Sequence, residues 1–286
     1  MSGPRSSAMV AAAVLALLTL VGCSGAGTTS GADTTTDRRT GSQPTRTTHT
    51  TPAADPPEVG ECRALTFADI SRYADDSPVR SCTGEHTSYT FAVEDLPSDV
   101  AFTGVQIQND AVQAAAAETC TSRFTAYIGG DARTRTLARL TTTYFVADQE
   151  DFDRGAHWVR CDVVALQSAS SLAPLPRRLE HILDTGKALD DYGVCSDGDP
   201  GSADSALVMC TQPHTFRAVT ALRLGGSDDP YPGADATRAD GESECKDFIA
   251  DLLGVTGGFT YGWTYPSATD WSGGQRFGYC WNSTDR

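Results

Sequence analysis

Two short strings set a thiol and an imidazole four positions apart, CTGEH from Cys82 to His86 and CTQPH from Cys210 to His214. On a helix such a pair would share one face, where it could ligate zinc or act as a nucleophile with its base. Zinc needs at least two further thiolate, imidazole or carboxylate ligands, and a catalytic thiol must be unpaired. The strings recur within a longer repeat, so whatever travels with each histidine can be read by self-comparison. No ligand travels with it. His181 has no counterpart, His157 aligns with Arg276, and Glu85 aligns with Pro213, whose fixed φ and missing amide donor disfavour a helix at 210–214. The cysteines are therefore expected in disulfides. His86 and His214 are expected at turns or strand starts, their rings bonded to nearby backbone.

Other chemistry leaves little trace. There is no GxSxG elbow, no HExxH, no phosphate-cradling GxxxxGK[ST], and no GxGxxG after a strand. Two acidic loops hold Asp197, Asp199 and Asp204 in one and Asp228, Asp229 and Asp235 in the other; the first lacks the fifth-position ligand and the distal Glu of an EF-hand, and solvated loops of an acidic domain account for such runs. Alternate rings at Tyr261, Trp263 and Tyr265, with Trp271 beyond, could line a groove for glycan or peptide or could be core. His86, His214, Tyr261, Trp263, Tyr265 and Trp271 are thus the candidate binding residues. No catalytic residue, metal site or cofactor is expected.

The chain ends bound the compartment. Residues 1–22 carry Arg5 and an apolar run from Met9 to Val21, shorter than the roughly 20 residues of a membrane-crossing helix, and read as a signal peptide. Leu20-Val21-Gly22-Cys23 resembles a bacterial lipobox, which implies that Cys23 receives a diacylglyceryl group and becomes the mature N-terminus. Localisation is then the cell membrane, lipid-anchored on its extracytoplasmic face. Nine cysteines less the acylated one leave an even set in an oxidising compartment: Cys62, Cys82, Cys120, Cys161, Cys195, Cys210, Cys245 and Cys280. With 22 basic and 37 acidic residues the chain carries a net charge of −15, which excludes nucleic acid as a ligand and leaves attachment to the lipid rather than to a basic patch. Residues 23–57, rich in Thr, Ser, Gly and Pro, hold too little apolar area to fold and read as a tether.

The rest divides by its repeat. Residues 58–167 form unit 1, 168–189 a linker with one short helix ending at Gly186, and 190–286 unit 2. Each unit reads as two cysteine-bearing strands (SPVRSC and SALVMC precede the second cysteine), a strand after the histidine, a helix with a cysteine, an aromatic strand, a turn and a last strand with a cysteine. In the helices Cys120, Phe124 and Tyr127 share one face, and so do Cys245, Ile249 and Leu252. Asp151-Phe152, Gly155 and Cys161 align without gaps on Asp270-Trp271, Gly274 and Cys280. The fold class is α+β: two tandem disulfide-bonded units, each an antiparallel sheet covered by one helix. Four cysteines per unit allow three pairings; the expectation taken forward is first with second and third with fourth.

These residues resemble the septum formation domain of exported or membrane-anchored proteins of Gram-positive bacteria. The likeness lies in Gly60-Glu61-Cys62, the two Cys-x-x-x-His strings and WSGGQR at Trp271 to Arg276. Unit 2 departs from it at Tyr192-Gly193-Val194-Cys195, and unit 1 has Phe152 and His157 where Trp and Arg stand in the pattern. The resemblance implies a part in cell division and identifies no ligand. The expected function is a non-catalytic envelope binding or scaffolding protein whose partner is an unidentified envelope protein or cell-wall ligand; the alternatives are a cell-wall-directed enzyme and a metal or small-ligand sensor.

Overall fold

The structure is a computed structural model that describes residues 52–284. The signal peptide, Cys23 and most of the tether lie outside the described residues. The first half opens with β1 (Cys62–Arg63) and β2 (Ser88–Asp95), followed by the long helix α1 (Asp110–Ile128) and the short α2 (Ala132–Thr136). Then come β3 (Leu140–Val146), α3 (Gln149–Asp153), β4 (Trp158–Leu166) and β5 (Leu172–Ala173). The strands form an antiparallel sheet in the order β1-β2-β4-β3, with β5 paired to β4. The second half repeats the plan: α4 (Leu189–Tyr192), β6 (Val194–Ser196), β7 (Leu207–Met209), β8 (Phe216–Arg223), α5 (Ala234–Leu253), β9 (Tyr261–Thr264), α6 (Ala268–Ser272) and β10 (Phe277–Ser283). Its sheet order, β7-β6-β8-β10-β9, places β6, β8, β10 and β9 where β1, β2, β4 and β3 stand in the first.

The correspondence extends to irregularities. In the first sheet Thr90 pairs with Asp162 and Ala92 with Cys161, so Phe91 is the extra residue of a bulge. In the second, Trp281 pairs with Ala218 and Cys280 with Thr220, leaving Val219 at the equivalent place. Phe152 of α3 and Trp271 of α6 are both buried. The ring of His157 contacts the carbonyl of Phe152 at 3.1 Å and tilts against its ring. Arg276 donates to the carbonyl of Trp271 and lies over the indole at 4.3 Å, so an aromatic and a cation fill one structural role.

Each long helix packs on one sheet face through an i, i+4 stripe: Val112, Ala116 and Cys120 in α1, and Thr237, Gly241, Cys245 and Ile249 in α5. Leu252 does not belong to the buried stripe, which ends at Ile249; it is exposed, as are Phe248 and Leu253. Disulfides join Cys62 to Cys82, Cys120 to Cys161, Cys195 to Cys210 and Cys245 to Cys280, so in both halves the helix is bonded to the last strand.

The sheet faces opposite the helices differ. In the first half Arg160 and Asp162 point there from β4, with the Arg160 guanidinium 2.7 Å from Asp75 and 3.1 Å from Asp162. Ser88 and Thr90 donate to Asp162 at 2.6 and 2.8 Å, and Arg63 donates to Thr90 at 3.1 Å. Asp75, Asp162 and Arg160 are excluded from solvent, a burial that opposite charges and complete hydrogen bonding make tolerable. Burial alone would raise the Asp75 carboxyl, but hydrogen bonds from Ser77 and Arg160 outweigh it and hold it below the usual carboxylate range. At the matching positions of β10 stand Tyr279 and Trp281, and Trp281 packs with Val194, Ala218, Ala221 and Leu137. Leu137 belongs to the first half, which thus covers the back of the second sheet.

The seam is continuous. The amides of Arg139, Val194 and Met209 donate across it to the carbonyls of Tyr192 at 2.7 Å, Leu137 at 3.0 Å and Gln167 at 2.9 Å. Residues 168–189, expected as a linker with a helix ending at Gly186, contain β5 and the buried Leu175, Leu179 and Leu183 instead. These side chains join the core of the first half, and the helical turn forms after Gly186, as α4. The run SPVRSC is no strand either: only Arg80 bridges to Cys62, and Val79 is exposed. The tether ends earlier than residue 57, since Ala53 packs on the core and the Ala54 amide donates to Asp151 at 3.1 Å.

Candidate functional site

The Cys-x-x-x-His strings are scaffold in both halves. His86 and His214 are buried, and their Nδ1 atoms sit 2.9 and 2.7 Å from the carbonyls of Gly84 and Gln212, two residues back, so each ring closes its own turn before β2 or β8. Cys82 and Cys210 are held in disulfides. Among the described residues no group of three or more His, Cys, Asp or Glu is placed to hold a metal ion. In the acidic loops Asp197 accepts from the Ala206 amide and Asp229 from the Gly226 amide, each at 2.7 Å, which is turn stabilisation.

The aromatic row has structural partners. Tyr261 and Trp263 pack on the cluster of Leu222, Cys245, Ile249 and Cys280. The Trp263 indole donates to the Arg238 carbonyl at 3.1 Å and lies between two glycines, Gly241 of α5 and Gly278 of β10. Tyr265 tilts against Trp263, and the buried Trp271 donates to the Asp229 carbonyl at 2.7 Å. Rings that alternate along β9 therefore serve the helix–sheet contact.

A different site is formed where the halves meet, a cleft of about 690 Å³. The first half lines it with the end of α1 (Phe124), α2 (Arg135), Arg139 and Leu140; the second with Val194, Leu207, Arg223, Arg276, Phe277 and Tyr279. Four arginines line it and no aspartate or glutamate does, in a chain where acidic residues outnumber basic ones. Every hydrogen bond that these guanidinium groups make among the described residues goes to a main-chain carbonyl. Arg135 donates to Gly129 and Gly130, Arg139 to Leu166 and Ser168, Arg223 to Gly225, and Arg276 to Trp271, Gln275, Gly226 and Ser227. Carbonyls orient the forks without neutralising them. No ion pair to any of the four occurs among the described residues.

The cleft's electrostatics follow from that arrangement. Burial pulls the Arg139 guanidinium down from its ordinary value, opposed by the neighbouring Tyr279, yet the group stays charged at any pH at which the protein folds. Burial also pushes the Tyr279 phenol up, against the pull of Arg139, and its hydroxyl donates across the seam to Thr136 at 3.2 Å. Apolar side chains, Leu140, Leu207 and Phe277 among them, complete the walls. Sequence reasoning missed the site because its arginines come from three separate segments, Arg135 and Arg139 from one and Arg223 and Arg276 from two others.

Fold and cleft define a disulfide-closed α+β protein built by internal repetition, with a basic cleft shared by both copies. The septum formation family model matches residues 59–280, most of the chain and both halves. The chain belongs to that family, whose description suggests a role in cell division and the envelope. No curated protein and no solved structure matches the chain.

Proposed function

We propose that this protein is a lipid-anchored, extracytoplasmic binding or scaffolding protein of the bacterial cell envelope, linked to septum formation and without catalysis of its own. The observation that carries the reading is the cleft at the seam, whose walls come from both halves. A site that needs both copies gives a reason for the duplication to persist as one packed body, and its carbonyl-held arginines are set in position before any ligand arrives. Four disulfides suit an oxidising compartment. The lipobox resemblance at Cys23 supplies the anchor, and the family supplies the link to division.

Three measurements on the full chain in cells test the reading. A photo-crosslinking residue at Leu207, whose side chain is 40% exposed on the cleft wall, should capture an envelope component that the same probe at Phe248, outside the cleft, does not. A fluorescent fusion should concentrate at the division site. Cys23→Ser should abolish acylation and release the protein from the membrane. Identical crosslinks from both positions and an even distribution around the cell would remove the proposal.

A further inference from the structure

We infer that the cleft takes a phosphate-bearing ligand with an apolar portion beside the phosphate, an inference that rests on the reading of the chain as a binding protein using this cleft. All four cationic side chains of the cleft are arginine, as are all but two of the chain's 22 basic residues. A guanidinium offers a planar fork that pairs bidentately with an oxyanion, whereas an ammonium offers only a point charge. The carbonyl contacts leave donors over: Nη1 of Arg139 and both Nη atoms of Arg223 make no hydrogen bond among the described residues. Several forks converging on one cleft match a group that presents three or more oxygens and up to two charges, as phosphate does; a single carboxylate would satisfy one fork. Leu140, Leu207 and Phe277 provide an apolar wall beside them. The net charge of −15 repels anions elsewhere on the molecule and so focuses attraction on the cleft.

Titration calorimetry on the full-length chain in a neutral detergent tests this with inorganic pyrophosphate as the probe. Pyrophosphate should bind at low salt and weaken as salt rises. Arg223→Gln, an exposed residue with a single carbonyl contact, should weaken it about tenfold, and Arg223→Lys, which keeps the charge and loses the fork, should fall between. Arg238→Gln on α5, outside the cleft, should leave affinity unchanged. Dihexanoyl phosphatidylglycerol in a parallel arm separates sources: tighter binding than pyrophosphate assigns a lipid headgroup, and weaker binding assigns a soluble phosphate. Absence of pyrophosphate binding, equal affinity for citrate, or unchanged affinity in Arg223→Gln overturns the phosphate assignment. The cleft crosslink at Leu207 reads the underlying proposal separately.

Discussion

Replacing Gly241 by alanine isolates what holds the second helix on its sheet. Inside a helix the change ordinarily stabilises by about 1 kcal/mol, because glycine loses more backbone freedom on folding. Here a methyl group would lie 2.1 Å from Cζ2 of Trp263 and 2.5 Å from Cη2. The ring cannot retreat: Gly278 abuts its other side, where a Cβ would lie 2.1 Å from Cη2, and its N–H is tied to the Arg238 carbonyl. Overpacking of this kind costs about 1–3 kcal/mol and the strained indole hydrogen bond about 1 more. Gly241→Ala should therefore destabilise by about 1–3 kcal/mol despite its helix propensity. The first half suggests the remedy, because Ala116 aligns with Gly241 and Tyr144 pairs with Cys161 as Trp263 does with Cys280. In a Trp263→Tyr background the alanine should be tolerated, and the two changes should couple favourably in a double-mutant cycle. Guanidinium unfolding of the oxidised protein measures all four members. A higher midpoint for Gly241→Ala alone, or the same loss in both backgrounds, would refute the packing argument.

The buried ion network gives a pH signature. Asp75 titrates below its unfolded value, so its contribution is present above about pH 4 and is lost as pH falls through the lower folded pKa. Asp75→Asn should cost about 3 kcal/mol at neutral pH and flatten the acid limb of a urea midpoint against pH plot. Replacing Cys120 and Cys161 together by alanine should cost about 4 kcal/mol for a separation of 41 residues, and Cys195 with Cys210 about 3 kcal/mol for 15. Equilibrium unfolding that ranks the pairs the other way would count against loop-closure control. His157→Ala should loosen the turn after α3, while His157→Arg, which imports the solution used at Arg276, should be near neutral in a thermal melt.

Much of the fold could be read from the repeat. Internal alignment of Cys120 with Cys245 and of Phe152 with Trp271 placed the helices and the last strands, because spacing within one element is a local property. What spacing could not reveal was long-range. Leu175, Leu179 and Leu183 lie in a stretch with proline and charge that reads as a linker, yet they complete the first core. Leu252 fits the helical stripe and still faces solvent, because the period does not say at which turn the buried stripe stops, here at Ile249. The arginines of the cleft carry no shared signature, since only folding brings the local pair 135 and 139 together with 223 and 276.

A chain with two near-copies of one fold risks threading a strand of one into the sheet of the other. The opposite polarity of β4 and β10 acts against that exchange. Seated in the second sheet, β4 would bring Asp162 and Arg160 against Ala218, Val194 and Leu137, far from Asp75, Ser88 and Thr90. The indole of Trp281 in the reverse swap would meet the groups left behind without their charges matched. Each mistake strands buried ionic partners at a cost of several kcal/mol, so like architecture is kept from becoming interchangeable architecture.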